Sequence, residues 1–489
     1  MPIQKPVLRA SAAPAASSIP VVALREAPNP LIAFRLLFHS GSSDDPAGQE
    51  GITALAAKLM AEGGTESLDA STLIDTLYPM AAELEVQVDK EQTVFTGLVH
   101  KDHLAAFWPI LTDVVVRPRW DEKEFARLRD LHVSAIKNDL RSNSDEELGK
   151  ATLESMLYDG HPYGHPVSGT VQGVSQLSLA EVKAHAARVF TQSRLTIGVA
   201  GGFETTLPVE LASKLGALPV GDARPALAAA RTVATRVTLV EKEAPATALS
   251  MGFAYDVKRG DPDFPALWLA VSALGEHRQF GGRLMEELRA KRGLNYGNYA
   301  YAEAFHNGWI FHPRVNISRS QQFFSIWIRP VEHPNRVFAL RAALYELDKM
   351  LKEGLSEEEL ARTRAFMDGY TRLWTLTLTQ RLGYALDDAF YGEKDHLATA
   401  RARWKELDAA EVNRVLRRWL DPAKLRFAFV TNDAAGLKKT LASGEPTPIK
   451  YPTPKDKAVL EEDKKIAVYP LRFEENDIAI VPAGDLFEK

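Results

Sequence analysis

The chain contains an internal repeat, and this repeat restricts its fold more than any other pattern in the sequence. The segment Leu177–Val182 recurs as Leu407–Val412, an offset of 230 positions, and the same offset aligns the apolar residues that follow each segment. A second block, Asp121–Arg129, matches Ser356–Arg364 at a similar offset. Similarity in the same order and at a fixed spacing indicates two related structural units in one chain.

Each repeated block has the residues of a helix start. A Ser or Asp is followed three positions later by a Glu, which is the spacing of a capping box. The four pairs are Asp121 with Glu124, Ser178 with Glu181, Ser356 with Glu359, and Asp408 with Glu411. Short apolar segments at Leu195–Ala200 and Leu425–Val430 then predict a strand after a helix in each unit. The sequence therefore predicts an α+β fold made of two homologous α/β domains.

Composition divides the chain into five predicted segments. Residues 19–218 form the first unit, and residues 236–443 form the second. An Ala-, Pro- and Gly-rich linker over 219–235 joins them. Residues 1–18 are predicted to be a flexible tail, and the Pro- and charge-rich residues 444–489 are expected to pack along the surface as a C-terminal tail.

Composition also excludes several classes of function. The chain has no cysteine, which excludes disulfides, thiol nucleophiles and cysteine-ligated zinc. Its 59 basic and 64 acidic side chains give a net charge of −5, so we expect no nucleic-acid partner and no polybasic membrane anchor. The apolar stretch Ala266–Leu274 is about half as long as a membrane span. We expect a soluble protein, in the periplasm if an export signal has been removed and otherwise in the cytoplasm.

Several segments of the first unit resemble a known metallopeptidase pattern. After the strand-like Ala33–Phe38, the segment Ile52–Met60 has helical periodicity and is followed by Glu62-Gly-Gly-Thr65. Glu124–Ile136 resembles a long helix that bears a third zinc ligand, and His161-Pro-Tyr-Gly164 resembles the loop after it. On these segments the chain resembles the M16 (pitrilysin-like, inverzincin) peptidase family over nearly its whole length. The resemblance implies that each unit has a mixed, largely antiparallel sheet with helices packed on it.

The inverted zinc motif of that family, His-x-x-Glu-His, is missing from the matching helix. Two histidines four apart on a helix face one side and bind zinc, and the glutamate takes a proton from the bound water. The resemblance puts Ala54, Ala57 and Lys58 at these positions and puts the third ligand near Ser134 or Ala135. Alanine has no ligand atom, a lysine ammonium would stand where the cation belongs, and neither third position is a carboxylate. We therefore expect no metal in this chain and zinc only in a partner.

Two histidine pairs could offer a substitute metal site. His100 and His103 form an HxxH pattern after a strand, and His161 and His165 form an HxxxH pattern across a Pro/Gly loop. Neither pair has an acidic general base at the spacing of the family. We interpret both pairs as surface or loop residues.

The second unit contains the most specific local match, Phe280–Tyr296, in which Arg289 and Tyr296 stand seven positions apart. Gly293 is suited to end the helix that carries Arg289, and Tyr296 is predicted to open a strand that runs to Ala304. In the family this pair contacts the substrate backbone and stabilises the tetrahedral intermediate. A permanently charged, forked guanidinium and a phenol donor suit that task. The family also holds peptides as an added strand, and Leu84–Val88 and Ala248–Ala254 are the candidate sheet edges.

The resemblance implies a division of labour between two chains. We expect this chain to be the subunit without zinc of a heterodimeric M16 metallopeptidase. It would supply Arg289 and Tyr296 for peptide hydrolysis at the zinc site of a homologous partner. The alternative is a non-enzymatic structural subunit, similar to the core proteins of the respiratory cytochrome bc1 complex. An independent peptidase would need another metal or nucleophile constellation, and we find none in the sequence.

Overall fold

The structure is a computed structural model that describes residues 19–230, 235–277, 280–306 and 312–489. The predicted tail over 1–18 and part of the predicted linker, 231–234, lie outside the described residues. Within the described ranges, no helix combines the length and the apolar character needed to cross a membrane.

The first sheet has five strands. They are β1 (Val21–Arg25), β2 (Leu31–Phe38), β3 (Glu83–Val88), β4 (Thr93–His100) and β5 (Leu195–Gly201). Their order across the sheet is β1-β5-β2-β4-β3, and the β1–β5 pair is parallel while the other pairs are antiparallel. The central strands β2 and β5 are buried along almost their whole length. Because both faces of these strands are covered, their sequences are apolar at consecutive positions and do not alternate.

The second sheet repeats this arrangement and adds one strand. Its strands are β6 (Val237–Glu241), β7 (Thr247–Tyr255), β8 (Asn298–Tyr301), β9 (Gln322–Val331), β10 (Arg426–Thr431) and β11 (Ile478–Pro482). The order is β11-β6-β10-β7-β9-β8. Without β11 this is the order of the first sheet, with β6 and β10 as the matching parallel pair. The repeated topology confirms the predicted fold class, whereas the exact domain boundaries stay predictions.

Helices pack on both sheets. In chain order they are α1 (Ile52–Glu62), α2 (Ala70–Leu77), α3 (Leu104–Val116), α4 (Glu122–Ser134), α5 (Asp145–Leu157), α6 (Val171–Ser175), α7 (Leu179–Val189), α8 (Leu207–Leu215), α9 (Phe264–Gly275), α10 (Arg336–Glu353), α11 (Glu357–Leu373), α12 (Leu378–Tyr391), α13 (His396–Glu406), α14 (Ala409–Trp419), α15 (Ala434–Ser443) and α16 (Lys457–Ala467). The apolar stretch in the second unit forms α9, which is buried almost throughout. Its hydrophobicity therefore belongs to a core helix.

The four predicted helix starts are present. The side chains of Asp121, Ser178, Ser356 and Asp408 each accept the backbone N–H of the Glu three positions later. At α7 the carboxylate of Glu181 also accepts the N–H of Ser178 at 2.8 Å, which completes the capping box. Such caps satisfy N–H groups that have no partner within the helix, and this local chemistry explains why the sequence locates them well.

Each unit places one helix on the sheet of the other unit. The helix α5 packs on β7 and β10, and α12 packs on β1, β2 and β5. Leu382 and Leu386 of α12 are buried against the first sheet. Gly198 of β5 permits this close approach, because a Cβ at that position would lie 3.0 Å from a methyl group of Leu386. The two units are thus interlocked by exchanged helices.

The C-terminal segment is more than a surface tail. Strand β11 adds to the second sheet beside β6, and α16 packs against α10. Near the end of the chain, the carbonyl groups of Phe487 and Glu488 accept the N–H groups of Val171 and Gln172 in the first unit at 2.9 and 2.8 Å. The expectation that residues 444–489 only pack along the surface was therefore wrong, because they complete one sheet and contact the other unit.

Candidate functional site

The zinc-motif positions lie on α1, which packs against α4 and α7. Ala57 is fully buried in the core of the first unit, whereas Ala54 and Lys58 are partly exposed. The Lys58 ammonium lies 3.9 Å from a carboxylate oxygen of Glu62, one turn further along the helix. The helix that would carry a metal site is therefore intact, but this face offers a cation and methyl groups.

The opposing helix offers no substitute ligand. Ser134 and Ala135, at the predicted third position, are partly exposed at the C-terminal end of α4. The nearby His132 accepts or donates a hydrogen bond at the carbonyl of Ser168, 2.8 Å away. Burial lowers the pKa of His132, and the charge of Lys58 lowers it further. The side chains at this position do not fit a zinc ion, because the positive charge of Lys58 lies near the His132 imidazole, a possible zinc ligand.

The two histidine pairs have other contacts. His161 bonds through Nε2 to the carbonyl of Ala228 at 2.9 Å, and His165 bonds through Nδ1 to that of Pro166 at 2.9 Å. His100 lies 3.3 Å from the carboxylate of Asp102, at the exposed turn after β4. Within the part of the chain that the structure describes, neither pair belongs to a group of three ligand side chains.

Arg289 lies on a short helical segment that packs within the core of the second unit. The segment Met285–Lys291 is a π-helical turn, and its apolar side, with Met285 and Leu288, is buried as the sequence pattern predicts. It ends at Gly293, which has a φ of +67° and donates its N–H to the carbonyl of Arg289 at 2.8 Å. A left-handed residue after a helix is where glycine is favoured, so this predicted helix end is confirmed.

A pair of asparagines holds the loop that presents Tyr296. The amide groups of Asn295 and Asn298 bond to each other at 2.8 Å in both directions, and Asn295 also donates to the carbonyl of Arg329 at 2.8 Å. Tyr296 stands between them and projects outward. The predicted strand from Tyr296 to Ala304 is shorter in the structure, where β8 begins only at Asn298. The hydrogen bonds of Asn295 and Asn298 fix the chain on either side of Tyr296, so Tyr296 stays in the loop before the strand.

Arg289 and three neighbouring side chains form a cluster that we call the Arg289 patch: Phe280, Arg289, Tyr296 and Arg329. The Arg289 guanidinium carbon lies 5.2 Å from the Phe280 ring centre and 4.8 Å from that of Tyr296, both within cation–π range. The Arg329 guanidinium lies 5.7 Å from the Tyr296 ring centre. The structure thus brings the two predicted site residues together. It adds Phe280 and Arg329, which sequence reasoning had given no role because no spacing rule links them to Arg289.

The Arg289 patch is open to solvent. Phe280 and Tyr296 are each 72% exposed, an unusual exposure for large aromatic residues. Arg329 is held by an ion pair with Glu146 of α5 at 2.8 Å. Within the described ranges, the Arg289 guanidinium and the Tyr296 hydroxyl have no hydrogen-bond or ion-pair partner. Ring contacts therefore position Arg289 while its N–H donors stay available.

A cleft borders the Arg289 patch on the side of α5. Its volume is about 260 Å³, and its lining includes Arg329, Trp327, Tyr299 and Lys150. The Lys150 ammonium lies 3.9 Å from the Trp327 ring centre. Tyr301 is buried, and Tyr299 is half-buried on the cleft wall. Arg329 thus belongs to both the cleft and the patch.

The structure decides which candidate sheet edge is free. β3 is an edge strand of the first sheet, as expected for Leu84–Val88. The other candidate, Ala248–Ala254, was wrong, because β7 lies between β10 and β9 inside the second sheet. The edge strand beside Arg289 is β8, which follows the Tyr296 loop directly. Its four residues were hidden within the longer predicted strand.

A repeated sheet with a helix that offers no metal ligand places the chain among zinc-less relatives of the zinc metallopeptidases. Residues 21–171 match the family model of the insulinase (peptidase family M16) domain. Residues 176–367 match the model of the peptidase M16 inactive domain. The chain therefore belongs to peptidase family M16, as the sequence resemblance implied, and it is a member without the zinc motif.

Two curated relatives illustrate the range of this family. The chain is 22% identical to the non-peptidase homolog YmxG of Helicobacter pylori over 422 residues, which cover 85% of this chain and 92% of the relative. It is also 22% identical to cytochrome b-c1 complex subunit 1 of Bos taurus over 223 residues, which cover 44% of this chain and 45% of that subunit.

Solved structures show the same fold. A peptidase M16 inactive domain from Pseudomonas fluorescens superposes with a TM-score of 0.74 at 22% identity, covering 84% of this chain and 95% of the other. The periplasmic protease PqqL of Escherichia coli superposes with a TM-score of 0.65 at 15% identity. That match covers 91% of this chain but 49% of the protease, so this chain corresponds in length to half of it.

Proposed function

We propose that this chain is the zinc-less subunit of a heterodimeric M16 metallopeptidase and that it supplies Arg289 and Tyr296 to the zinc site of a homologous partner. The observation that carries the proposal is the Arg289 patch. Its guanidinium and phenol are oriented by neighbours yet have no intrachain polar partner among the described residues. Side chains held in this way are ready to bind groups outside the chain.

The chemistry of the two side chains suits peptide hydrolysis. A zinc ion in the partner would supply the Lewis acid and the activated water. The Tyr296 hydroxyl would donate a hydrogen bond to the oxygen on which negative charge develops, an interaction typically worth about 10²–10³ in rate. Arg289 would donate two N–H groups to backbone carbonyls of the peptide and so fix its position. Substrate binding would thus be shared between the chains.

The edge strand β8 supports a peptide substrate. An extended peptide can pair with an exposed strand through main-chain hydrogen bonds, which depend little on its sequence. Among the described strands, β8 is the last of its sheet and begins two residues after Tyr296, although three of its four residues are buried. A peptide that pairs there would pass directly beside the Arg289 patch.

The comparison with PqqL supports the pairing. This chain matches 49% of the length of that protease, and it covers 94% of a structure of its first half. A protease built from two such halves is consistent with a working unit in which this chain has a homologous companion. The companion would carry the His-x-x-Glu-His motif that α1 of this chain lacks.

The first test is a native pull-down of this chain from its source cell, with the co-purifying proteins identified by mass spectrometry. We expect a near-stoichiometric relative that carries His-x-x-Glu-His, with zinc that follows this relative on metal analysis. The purified pair should cleave peptides that neither chain cleaves alone.

Variants of the pair then test the role of the patch. Tyr296→Phe removes one hydroxyl and keeps the ring that Arg289 contacts, so we expect kcat to fall about 10²–10³-fold. Arg289→Ala should raise KM as well, because it removes substrate contacts. The matched control is Tyr78→Phe, which removes the hydroxyl of a tyrosine that is 84% exposed on the first unit. Unchanged turnover by Tyr296→Phe in the assembled complex would refute the catalytic role.

The second candidate is a non-enzymatic structural subunit of a larger assembly. It is favoured by the similarity to a relative that is named a non-peptidase homolog and to a subunit of the cytochrome b-c1 complex. The same pull-down separates the two candidates. Recovery of a large membrane assembly, without a zinc-bearing relative, would support the structural role and leave Arg289 and Tyr296 without a catalytic task.

A further inference from the structure

Three glutamates from distant parts of the second unit meet beneath the Arg289 segment. Glu287 lies on the π-helical turn, Glu346 on α10 and Glu462 on α16. One carboxylate oxygen of each lies within 4.8 Å of those of the other two. We call this group the three-glutamate cluster. Like charges this close repel each other strongly, so something must compensate them.

Among the described residues Glu346 has no ion-pair partner within 4.0 Å, and the charges of Lys349 and Arg283 act on it from further away. Glu346 is 2% exposed, and its Oε1 atom is buried without a hydrogen-bond partner. A buried carboxylate oxygen without a partner loses its hydration and gains nothing in return, which is costly. Burial, with the nearby charge of Glu287, raises the pKa of Glu346 to about 7. This side chain therefore stands ready to bind either a proton or a cation.

The charges around the three-glutamate cluster are not balanced. Arg292 pairs with Glu287, Glu462 and Asp463 at 2.7 to 2.9 Å. Lys291 pairs with Glu287 and with Glu286, and Lys349 lies 3.5 Å from Glu462. Together with Glu346, five carboxylates thus share three cations, which leaves two negative charges. One divalent cation would neutralise this remainder.

We propose that Glu287, Glu346 and Glu462 bind one hard divalent cation, with Ca²⁺ as the best fit. Carboxylate oxygens are the preferred ligands of such ions. Arg292 holds Oε2 of both Glu287 and Glu462, so the cluster offers four further carboxylate oxygens, and water would complete the six to eight that Ca²⁺ takes. Two oxygens bound to one Ca²⁺ can lie up to about 5 Å apart, compared with about 4.2 Å for Mg²⁺. The three carboxylate oxygens, all within 4.8 Å of one another, therefore lie within the reach of one Ca²⁺.

The cation would join three elements and add to the ion pairs that Arg292 and Lys349 already make with α16. Its ligands come from the turn that carries Arg289, from α10 and from the C-terminal helix α16. The Glu462 side chain is 22% exposed, so the cluster can be reached by an ion and its water ligands from the solvent side of Glu462. The Lys291 and Lys349 side chains are 36% and 33% exposed, so their ammonium groups can turn to water when the ion enters. A bound cation would anchor the C-terminal segment to the Arg289 segment.

The test uses the full chain, stripped with a chelator, and needs no partner. Calorimetric titration with CaCl₂ should show one site per chain, and the thermal unfolding midpoint should rise by about 3 °C at saturation. Because carboxylates bind a metal ion in their ionised form, the affinity should be weaker at pH 6 than at pH 8. MgCl₂ serves as the comparison and should bind more weakly.

The key variant is Glu346→Gln, which keeps the size of the side chain and should abolish the calcium-dependent shift. The control is Glu353→Gln, which removes an exposed carboxylate from the same helix and should leave binding unchanged. If Glu346→Gln does not fold, Glu462→Gln at the rim replaces it. Absence of saturable Ca²⁺ or Mg²⁺ binding up to about 10 mM would overturn the proposal and leave a cluster that holds a proton only. Equal binding by Glu346→Gln would overturn it as well.

Discussion

Arg319 offers a sharp test of how the two units are held together. Its side chain is fully buried at the junction between them. It donates to Asp89 of the first unit at 2.7 Å and to Glu154 of α5 at 2.7 Å. Replacing Arg319 with Met would fill a similar volume but leave both carboxylates buried, with the Lys90 ammonium 3.5 Å from Glu154 and the His306 imidazole close to both.

The expected loss of stability follows from this burial. Removing one partner of a buried ion pair typically costs about 3–5 kcal/mol, because the remaining charge is neither hydrated nor paired. For domains of about 200 residues, each kcal/mol lowers the melting temperature by about 2–4 °C. We therefore expect Arg319→Met to lower the melting temperature by about 6 to 20 °C at pH 7. The control is Arg372→Met, which breaks the surface ion pair of Arg372, 61% exposed, with Asp368, and its cost should stay below about 1 kcal/mol.

The pH dependence gives a second, independent check. Burial raises the pKa of Asp89 and of Glu154, but the charges of Arg319, Lys90 and His306 together outweigh it, so both pKa values lie below their ordinary 3.8 and 4.5. In the wild type, this stabilisation is present above about pH 4 and is lost as pH falls through the lowered values. Without Arg319 the effect of burial remains, the pKa values rise, and the variant should regain stability as pH falls toward 4. The difference in melting temperature should therefore be largest at pH 7 and smallest near pH 4.

Differential scanning fluorimetry of the full chain between pH 4 and pH 8 measures both effects. A melting temperature within about 2 °C of the wild type at pH 7 would refute the reasoning, since a buried carboxylate pair would then tolerate the loss of its cation. A difference that stays constant with pH would refute the electrostatic explanation. In that case the loss would come from packing alone.

Two further predictions concern the exchanged helix α12 and a buried histidine. Leu382→Ala should lower the free energy of unfolding, measured in urea, by about 2–5 kcal/mol, because Leu382 is fully buried against the first sheet. The control Leu376→Ala replaces a residue that is 67% exposed and should change this free energy by less than about 0.5 kcal/mol. Equal effects of the two substitutions would contradict the packing of α12 across the units. Burial, assisted by the charge of Lys90, lowers the pKa of His165 to about 4, so its imidazole should titrate near pH 4 by NMR. This shift should reduce stability as pH falls from about 6.5 toward 4, and an imidazole titration near 6.5 would contradict it.

Patterns that depend on neighbouring residues were predicted well. The capping residues of α4, α7, α11 and α14 act where the spacing of Ser or Asp with Glu puts them. The apolar segments at Leu195–Ala200 and Leu425–Val430 lie in β5 and β10. These elements depend on hydrogen bonds and burial within a few residues, and such local preferences are visible in a single sequence.

Patterns that depend on partners were predicted less well. The segment Ala248–Ala254 was taken for a sheet edge, yet β9 and β10 cover both sides of β7. The strand after Tyr296 was predicted too long, because Asn295 and Asn298 form a contact pair that keeps Tyr296 outside it. Whether a strand has neighbours in the sheet, and at which residue it begins, depends on contacts with residues elsewhere in the chain.

The sequence by itself determined that this protein is a duplicated α+β unit, and the positions that the resemblance assigns to the zinc motif have side chains that are not zinc ligands. Both conclusions rest on the identity of residues at given positions, and an alanine at position 54 or 57 cannot bind a metal in any fold. Only the tertiary structure decided which groups meet. It put Phe280 and Arg329 beside Arg289 and Tyr296, and it brought Glu287, Glu346 and Glu462 together from three separate helical segments. Contacts between distant positions depend on how helices and sheets pack, and no local pattern records that packing.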